Sequence, residues 1–294
     1  MTTSSETSFR FGVTMTTPSG REAWISKCRK AEEYGYDVIG VADHLGKPAP
    51  FPAIVLAAAA TERVRVCTFV LNTSFYNPVL LARDVATTDQ LTDGRLDLGL
   101  GTGYVKAEFA AAGLAFSGPS KRLNHLEATI SGLRTCFANA EPRPVQQPGP
   151  PLLLGGERDR MLTLAAREAD IVGLVGMTST PEGRLARIAT PSELKERVDF
   201  VRTHAGERMD RIELNLLVQK VIVTNDRKGA FEQLLPHTPG NMIDELAEAP
   251  ILLVGSVEQI ADQVLGLREQ FGFSYIMVLE PEMDDFAAVI ERLR

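Results

Sequence analysis

The chain has 294 residues, 44% hydrophobic and 23% charged, which is an ordinary globular composition with ample apolar side chain for a large core. A net charge of −7 without any basic run argues against nucleic acid as a partner. Three scattered cysteines, Cys28, Cys67 and Cys136, form neither a disulfide framework nor a CxxC metal pair, which fits a reducing, cytoplasmic setting.

The opening segment MTTSSETSFR is polar and lacks a basic flank followed by an apolar core, so no secretory signal is expected. The longest unbroken apolar run, 53–60, falls far short of the roughly 20 residues that span a bilayer, and no membrane span is expected. Short apolar runs alternate with longer amphipathic stretches along the chain. Strands are expected at 9–15, 37–41, 64–71, 95–100, 151–154, 170–175, 212–223 and 274–279. Between them, Trp24, Cys28 and Ala31, then Leu194, Val198 and Val201, then Ile260, Val264, Leu267 and Phe271 each step by three or four residues along one helical face. Eight such β-then-α units predict an α/β fold, most simply a (β/α)8 TIM barrel, with an open doubly wound sheet as the competing arrangement.

Two stretches break the rhythm, 104–120 after the fourth strand and 225–249 after the seventh, and both read as insertions on the face where barrels place their active sites. The segment EPRPVQQPGP at 141–150 is the most linker-like, and a two-domain split there is the runner-up architecture. The Ser-, Thr- and Gly-rich stretch 177–190 reads as a lid or as a disordered loop.

Three places carry chemistry. At the end of the second strand, Asp43-His44 would stand on the rim of a barrel, where an imidazole with an ordinary pKa of about 6.5 suits proton transfer. Helix capping by Asp43 and a satisfied rim imidazole are the bland alternative. The fourth strand ends in Gly99, Gly101, Thr102 and Gly103, but Tyr104 stands where a dinucleotide fingerprint needs its third glycine, and no acid follows about twenty residues on. This turn either approaches a cofactor or lets two chain segments pass closely. The fifth strand ends in Gly155-Gly156 and opens a helix, so freed backbone N–H groups there could cradle a phosphate beside Arg158 or Arg160. HExxH, EF-hand, Walker and nucleophile-elbow motifs are absent, so no metal site is expected.

Taken in order, Tyr36-Asp37 through Asp43-His44, VRVCTFVLN with Asn77-Pro78, LTDGRLDLGLGTGYVKAEF, PPLLLGGERDRMLTLAAREADIVGL and ILLVGSVEQIADQVLGL resemble the luciferase-like oxidoreductases, most closely the branch that uses the deazaflavin F420. The resemblance spans nearly the whole chain and implies a single TIM-barrel domain over 1–294 with a small-molecule substrate. By the same likeness it implies a homodimer. It assigns Asp43 and His44 to the deazaflavin, with His44 exchanging a proton, and places a bulge with a non-proline cis peptide within Thr68 to Leu71, followed by Asn72. Leu71, Asn72, Thr102 and Gly103 become cofactor contacts, and Gly155 and Gly156 a phosphate cradle with Arg158 and Arg160. Lys106, Lys121 and Arg122 are the cations available for the acidic F420 tail. Sugar-phosphate dehydrogenases of this kind have a glutamate directly after Gly-Thr-Gly; Tyr104 occupies that position here, as a hydrogen-bond donor to substrate or a pocket wall, which speaks against glucose 6-phosphate. The rival readings are an FMNH2-dependent monooxygenase using O2 and a non-catalytic barrel that binds a flavin-like ligand.

Overall fold

The computed structural model describes residues 8–179, 185–238 and 240–294. Eight parallel strands close on themselves: β1 (Arg10–Met15), β2 (Val38–Val41), β3 (Arg65–Thr68), β4 (Leu96–Gly101), β5 (Leu152–Gly155), β6 (Ile171–Leu174), β7 (Glu213–Leu217) and β8 (Tyr275–Leu279). Closure is direct, since β8 pairs with β1 at Tyr275 and Arg10, while β3 pairs with β4 at Val66 and Leu96. This is the (β/α)8 barrel expected from the alternating pattern. Among the described residues, no helix is long and apolar enough to cross a membrane.

The strands are short and buried on both faces, as parallel strands covered by helices must be. The expected helical stripes face inward: Trp24, Cys28 and Ala31 are buried in helix Arg21–Glu33, and Ile260, Val264, Leu267 and Phe271 in helix Val257–Phe271. Local signals set several boundaries. Asn77 accepts hydrogen bonds from the Val79 and Leu80 N–H groups ahead of helix Pro78–Leu91, and Thr190 and Ser256 head capping boxes. The linker-like segment 141–150 connects strands that are neighbours in the barrel, with Leu98 opposite Leu152. It is tied down by Gln146, which donates to Asp89 and to the Leu96 carbonyl.

Two stretches differ from the expectation, and the two expected insertions are in place. The run 212–223 is not one strand: β7 ends at Leu217, and Lys220–Val223 leaves the barrel to pair in parallel with Leu252–Gly255. The stretch expected as a lid or loop contains an antiparallel hairpin of Met177–Ser179 and Leu185–Ile188, while residues 180–184 lie outside the described residues. The two insertions also fold locally, the first into helix Lys106–Ala111 and the second into helices Arg227–Leu234 and Ile243–Glu248.

Charge plugs the end of the barrel opposite the rim. Arg10 at the start of β1 pairs with Asp97 of β4 and, at 2.6 Å, with Glu213 of β7. Arg65 of β3 grips the other Asp97 oxygen at 2.7 and 2.9 Å, and the Arg10 guanidinium lies 4.5 Å from the centre of the Tyr275 ring. Asp97 is 1% exposed, so its charge has no recourse to water. Removing it takes the ion-pair partner from Arg65 and leaves Arg10 with Glu213 alone, and breaking a buried pair costs about 3–5 kcal/mol. Asp97→Ala is therefore expected to lower the urea-unfolding free energy by about 3 kcal/mol, and a loss below about 1 kcal/mol would show that the network is not needed to close the barrel.

Candidate functional site

At the opposite, C-terminal ends of the strands, β2, β3 and β4 bring together residues far apart in sequence. The link is a close approach. Gly99 of β4 passes so near β3 that a Cβ there would lie 1.9 Å from the Thr68 carbonyl oxygen. The Thr68 hydroxyl bridges the gap, donating to the Gly99 carbonyl and accepting from the Gly99 N–H, both at 2.8 Å. Beyond it the chain bulges through a cis peptide between Phe69 and Val70, within the expected window, and then pairs again with β4 at Leu71 and Asn72. Gly101 faces Val70, and Gly103, at φ +68°, fits against the Asn72 side chain, 2.4 Å from where its Cβ would stand. The alternate glycines of β4 thus accommodate the neighbouring bulge. Leu71 is wholly buried in the core, so any ligand contact it makes is through its backbone.

The bulge delivers the Asn72 N–H to Asp43, whose carboxylate accepts it at 2.9 Å, with the Tyr76 hydroxyl beside it. Burial raises the Asp43 pKa above its ordinary value, and these two groups pull it back. Next along the chain, His44 places Nδ1 2.9 Å from a carboxylate oxygen of Glu108, on the insertion helix Lys106–Ala111. The Tyr104 ring stands edge-on to the imidazole, with centroids 5.6 Å apart, and is 60% exposed. It is an exposed ring beside the imidazole.

A second group gathers at the end of β5. Gly155 and Gly156 lead into helix Asp159–Glu168, whose N-cap, Arg158, offers no side-chain cap; the Gly156 N–H donates to the Gly173 carbonyl and the Met161 N–H to the Arg158 carbonyl, so any anion here would meet the N–H groups between them. Gly156 is also required for packing, because a Cβ would lie 2.5 Å from Met161. Arg122, 9% exposed, stacks on Phe116 at 4.3 Å, and its buried Nε has no hydrogen-bond partner among the described residues. Burial lowers its pKa and the positive charge of Arg158 lowers it further, which sets the two guanidiniums in one field. Arg160 instead bonds Asn124 at 3.1 Å, and Lys121 is exposed. Thr102 is half-buried beside Gly103. His44, Asp43, Asn72 and Gly103 therefore form one group, Arg122 and Arg158 another, and Lys121 and Arg160 lie on the surface near the second. Glu108 and Tyr76 were not marked by the sequence, since a single carboxylate in an insertion and a single tyrosine after a strand carry no spacing signal.

The profile of the luciferase-like monooxygenases matches residues 1–242. The chain belongs to that family. The F420-dependent glucose-6-phosphate dehydrogenase of Nakamurella multipartita is 29% identical over 227 residues, 69% of this chain and 64% of the relative, so the match leaves over a third of that protein uncovered. An F420-dependent secondary alcohol dehydrogenase, solved with an F420–acetone adduct, superposes with a TM-score of 0.78 at 18% identity, covering 98% of this chain and all of the other. A monooxygenase from Streptomyces bottropensis gives a TM-score of 0.74 at 19% identity, covering 96% of both chains. These two superpositions show the shared fold.

Within this luciferase-like barrel, Glu157 follows the glycine pair and reaches across to the end of β6. One carboxylate oxygen accepts from the Val175 and Gly176 N–H groups, at 2.8 and 3.1 Å, just before the hairpin at Met177. Burial pushes its pKa up to about 7, against those two donors and the charge of Arg197 on helix Pro191–Ala205. The folded value lies above the unfolded one, so protonation favours the fold, and the stability present below about pH 4.5 is lost as pH rises through about 7. Glu157→Gln keeps an accepting oxygen but cannot ionise. Its unfolding free energy is expected to gain on the wild type by on the order of 1–2 kcal/mol between pH 5 and pH 8 in urea titrations, whereas parallel pH profiles would mean that the carboxyl titrates normally.

Proposed function

We propose that this chain is an F420-dependent oxidoreductase, exchanging a hydride between the C5 position of the deazaflavin and a small organic substrate at the barrel rim, with His44 exchanging the accompanying proton. The observation that carries the proposal is the rim cluster itself: Asp43 held by Asn72 with Tyr76 beside it, and next to it an imidazole whose Nε2 makes no hydrogen bond among the described residues. The F420-dependent relatives support the same reading.

The residues fit such a cofactor. The buried Nε of Arg122, without a partner among the described residues, and the N–H groups after Gly155-Gly156 suit its phosphate and acidic tail. Arg158 adds charge there, and Lys121 and Arg160 lie at the margin as long-range counter-charges. Asp43, Asn72, Thr102 and Gly103, with the backbone of Leu71, line the side on which the ring system would rest. The bound deazaflavin would supply the hydride chemistry; the protein's part is to orient the ring, wall the pocket and move a proton at His44. The exposed Tyr104 ring beside His44 offers no carboxylate to a sugar substrate, so an uncharged alcohol or carbonyl compound fits better than a sugar phosphate.

His44→Ala is expected to reduce turnover with F420 by about 10²- to 10⁴-fold while F420 affinity stays within a few-fold, measured by the F420 absorbance change across a panel of alcohols and carbonyls. Unchanged turnover with F420 still bound would remove His44 from the chemistry. Oxygen-consuming turnover with FMNH2 in place of F420 activity would favour the monooxygenase alternative.

A further inference from the structure

The His44 imidazole has two nitrogens, and among the described residues only one of them is engaged. Nδ1 faces the Glu108 carboxylate at 2.9 Å, with side-chain exposures of 31% for His44 and 15% for Glu108. A carboxylate that carries no proton can only accept a hydrogen bond, so this contact requires the hydrogen on Nδ1. The neutral ring then carries its lone pair on Nε2, and the charged ring carries the exchangeable proton there. Asp43, adjacent in sequence, makes no hydrogen bond to the imidazole among the described residues; its carboxylate is engaged by the Asn72 N–H.

Glu108 is held where it can do this. Its helix, Lys106–Ala111, is anchored by the buried ring of Phe109, which packs on Phe75 at 5.5 Å and on Phe116 at 5.0 Å. Phe116 in turn carries the Arg122 guanidinium. The insertion after β4 therefore ties the imidazole to the same aromatic cluster that supports the buried cation.

We infer that Glu108 is the positioning residue of this site: its carboxylate fixes His44 as the Nδ1–H tautomer and leaves Nε2 as the atom that exchanges a proton with substrate. The inference rests on the proposed role of His44 in proton exchange. In the substrate-oxidising direction, Nε2 would take the hydroxyl proton, and a bound F420 would serve as the oxidant that takes up the hydride. In the reverse direction Nε2 would return its proton to the substrate oxygen. Glu108 accepts the Nδ1 hydrogen in both and touches neither substrate nor cofactor.

The test separates tautomer from turnover. In the protein without cofactor, nitrogen-15 spectra of labelled histidine, with His44 assigned by its loss in His44→Asn, are expected to show a protonated Nδ1 and an unprotonated Nε2 at a pH where the ring is neutral. Glu108→Ala should shift that ring toward the Nε2–H form and lower kcat by about 10-fold or more with KM for substrate and F420 affinity little changed, and Glu108→Asp should recover part of both effects. A wild-type ring already in the Nε2–H form, or a Glu108→Ala protein with the wild-type tautomer and kcat, would overturn the assignment. If F420 turnover is absent altogether, the function proposal fails while the spectra still decide whether Glu108 sets the tautomer. Matching thermal melts of the Glu108 variants and the wild type identify the losses as local.

Discussion

The absence of a side chain at Gly99 is the constraint on which the rim depends. With a Cβ there, β4 and the Thr68 carbonyl could not pass, and the double hydrogen bond through the Thr68 hydroxyl would be lost. That contact permits the bulge at Phe69-Val70, and the bulge re-enters the sheet one step later at Leu71 and Asn72. Asn72 then does two things at once: its N–H holds Asp43, and its side chain packs against Gly103, which turns the chain toward Tyr104 and Glu108. The geometry around His44 follows from a packing event between two strands some thirty residues apart.

The barrel divides its labour between its ends. The N-terminal end is closed by ion pairs among Arg10, Arg65, Asp97 and Glu213, all drawn from the first residues of four strands. The C-terminal end carries the Asp43–Asn72, His44–Glu108 and Arg122–Arg158 groups and the insertions. This separation of stability from chemistry is general to the fold, and it explains why insertions after strand ends leave the core intact. Glu157 sits at the junction of the two demands, for its carboxyl braces the end of β6 beside the glycine pair although burial resists its ionisation.

Much of this was legible in the residues. Eight apolar runs separated by amphipathic stretches specify a parallel α/β sheet, because a parallel strand must be apolar on both faces and its crossover helix on one; the pairings of β8 with β1 and of β3 with β4 are what decide for the barrel over the open sheet. The turns at Gly103 and Gly155-Gly156 and the rim pair Asp43-His44 announced themselves by residue type. The strand Leu252–Gly255 did not, since its partner Lys220–Val223 reads as a continuation of β7 and only the tertiary pairing separates them. Gly99 and Gly101 read equally well as a ligand turn or a close crossing, and the position of Thr68 and Val70 decides for the crossing. Glu108 was invisible for a simple reason: its partner lies 64 residues away, and no local pattern records a contact of that range.

The central claim is that the rim and its cation pair form a deazaflavin site, and side-by-side anaerobic titration with F420 and FMN, followed by the quenching of each ligand's fluorescence, tests it most directly. Saturable F420 binding, at least about tenfold tighter than FMN and weakened by high salt because Arg122 and Arg158 would meet the anionic tail, is the expected result. FMN binding as tight as or tighter than F420, or no F420 binding at all, would contradict it.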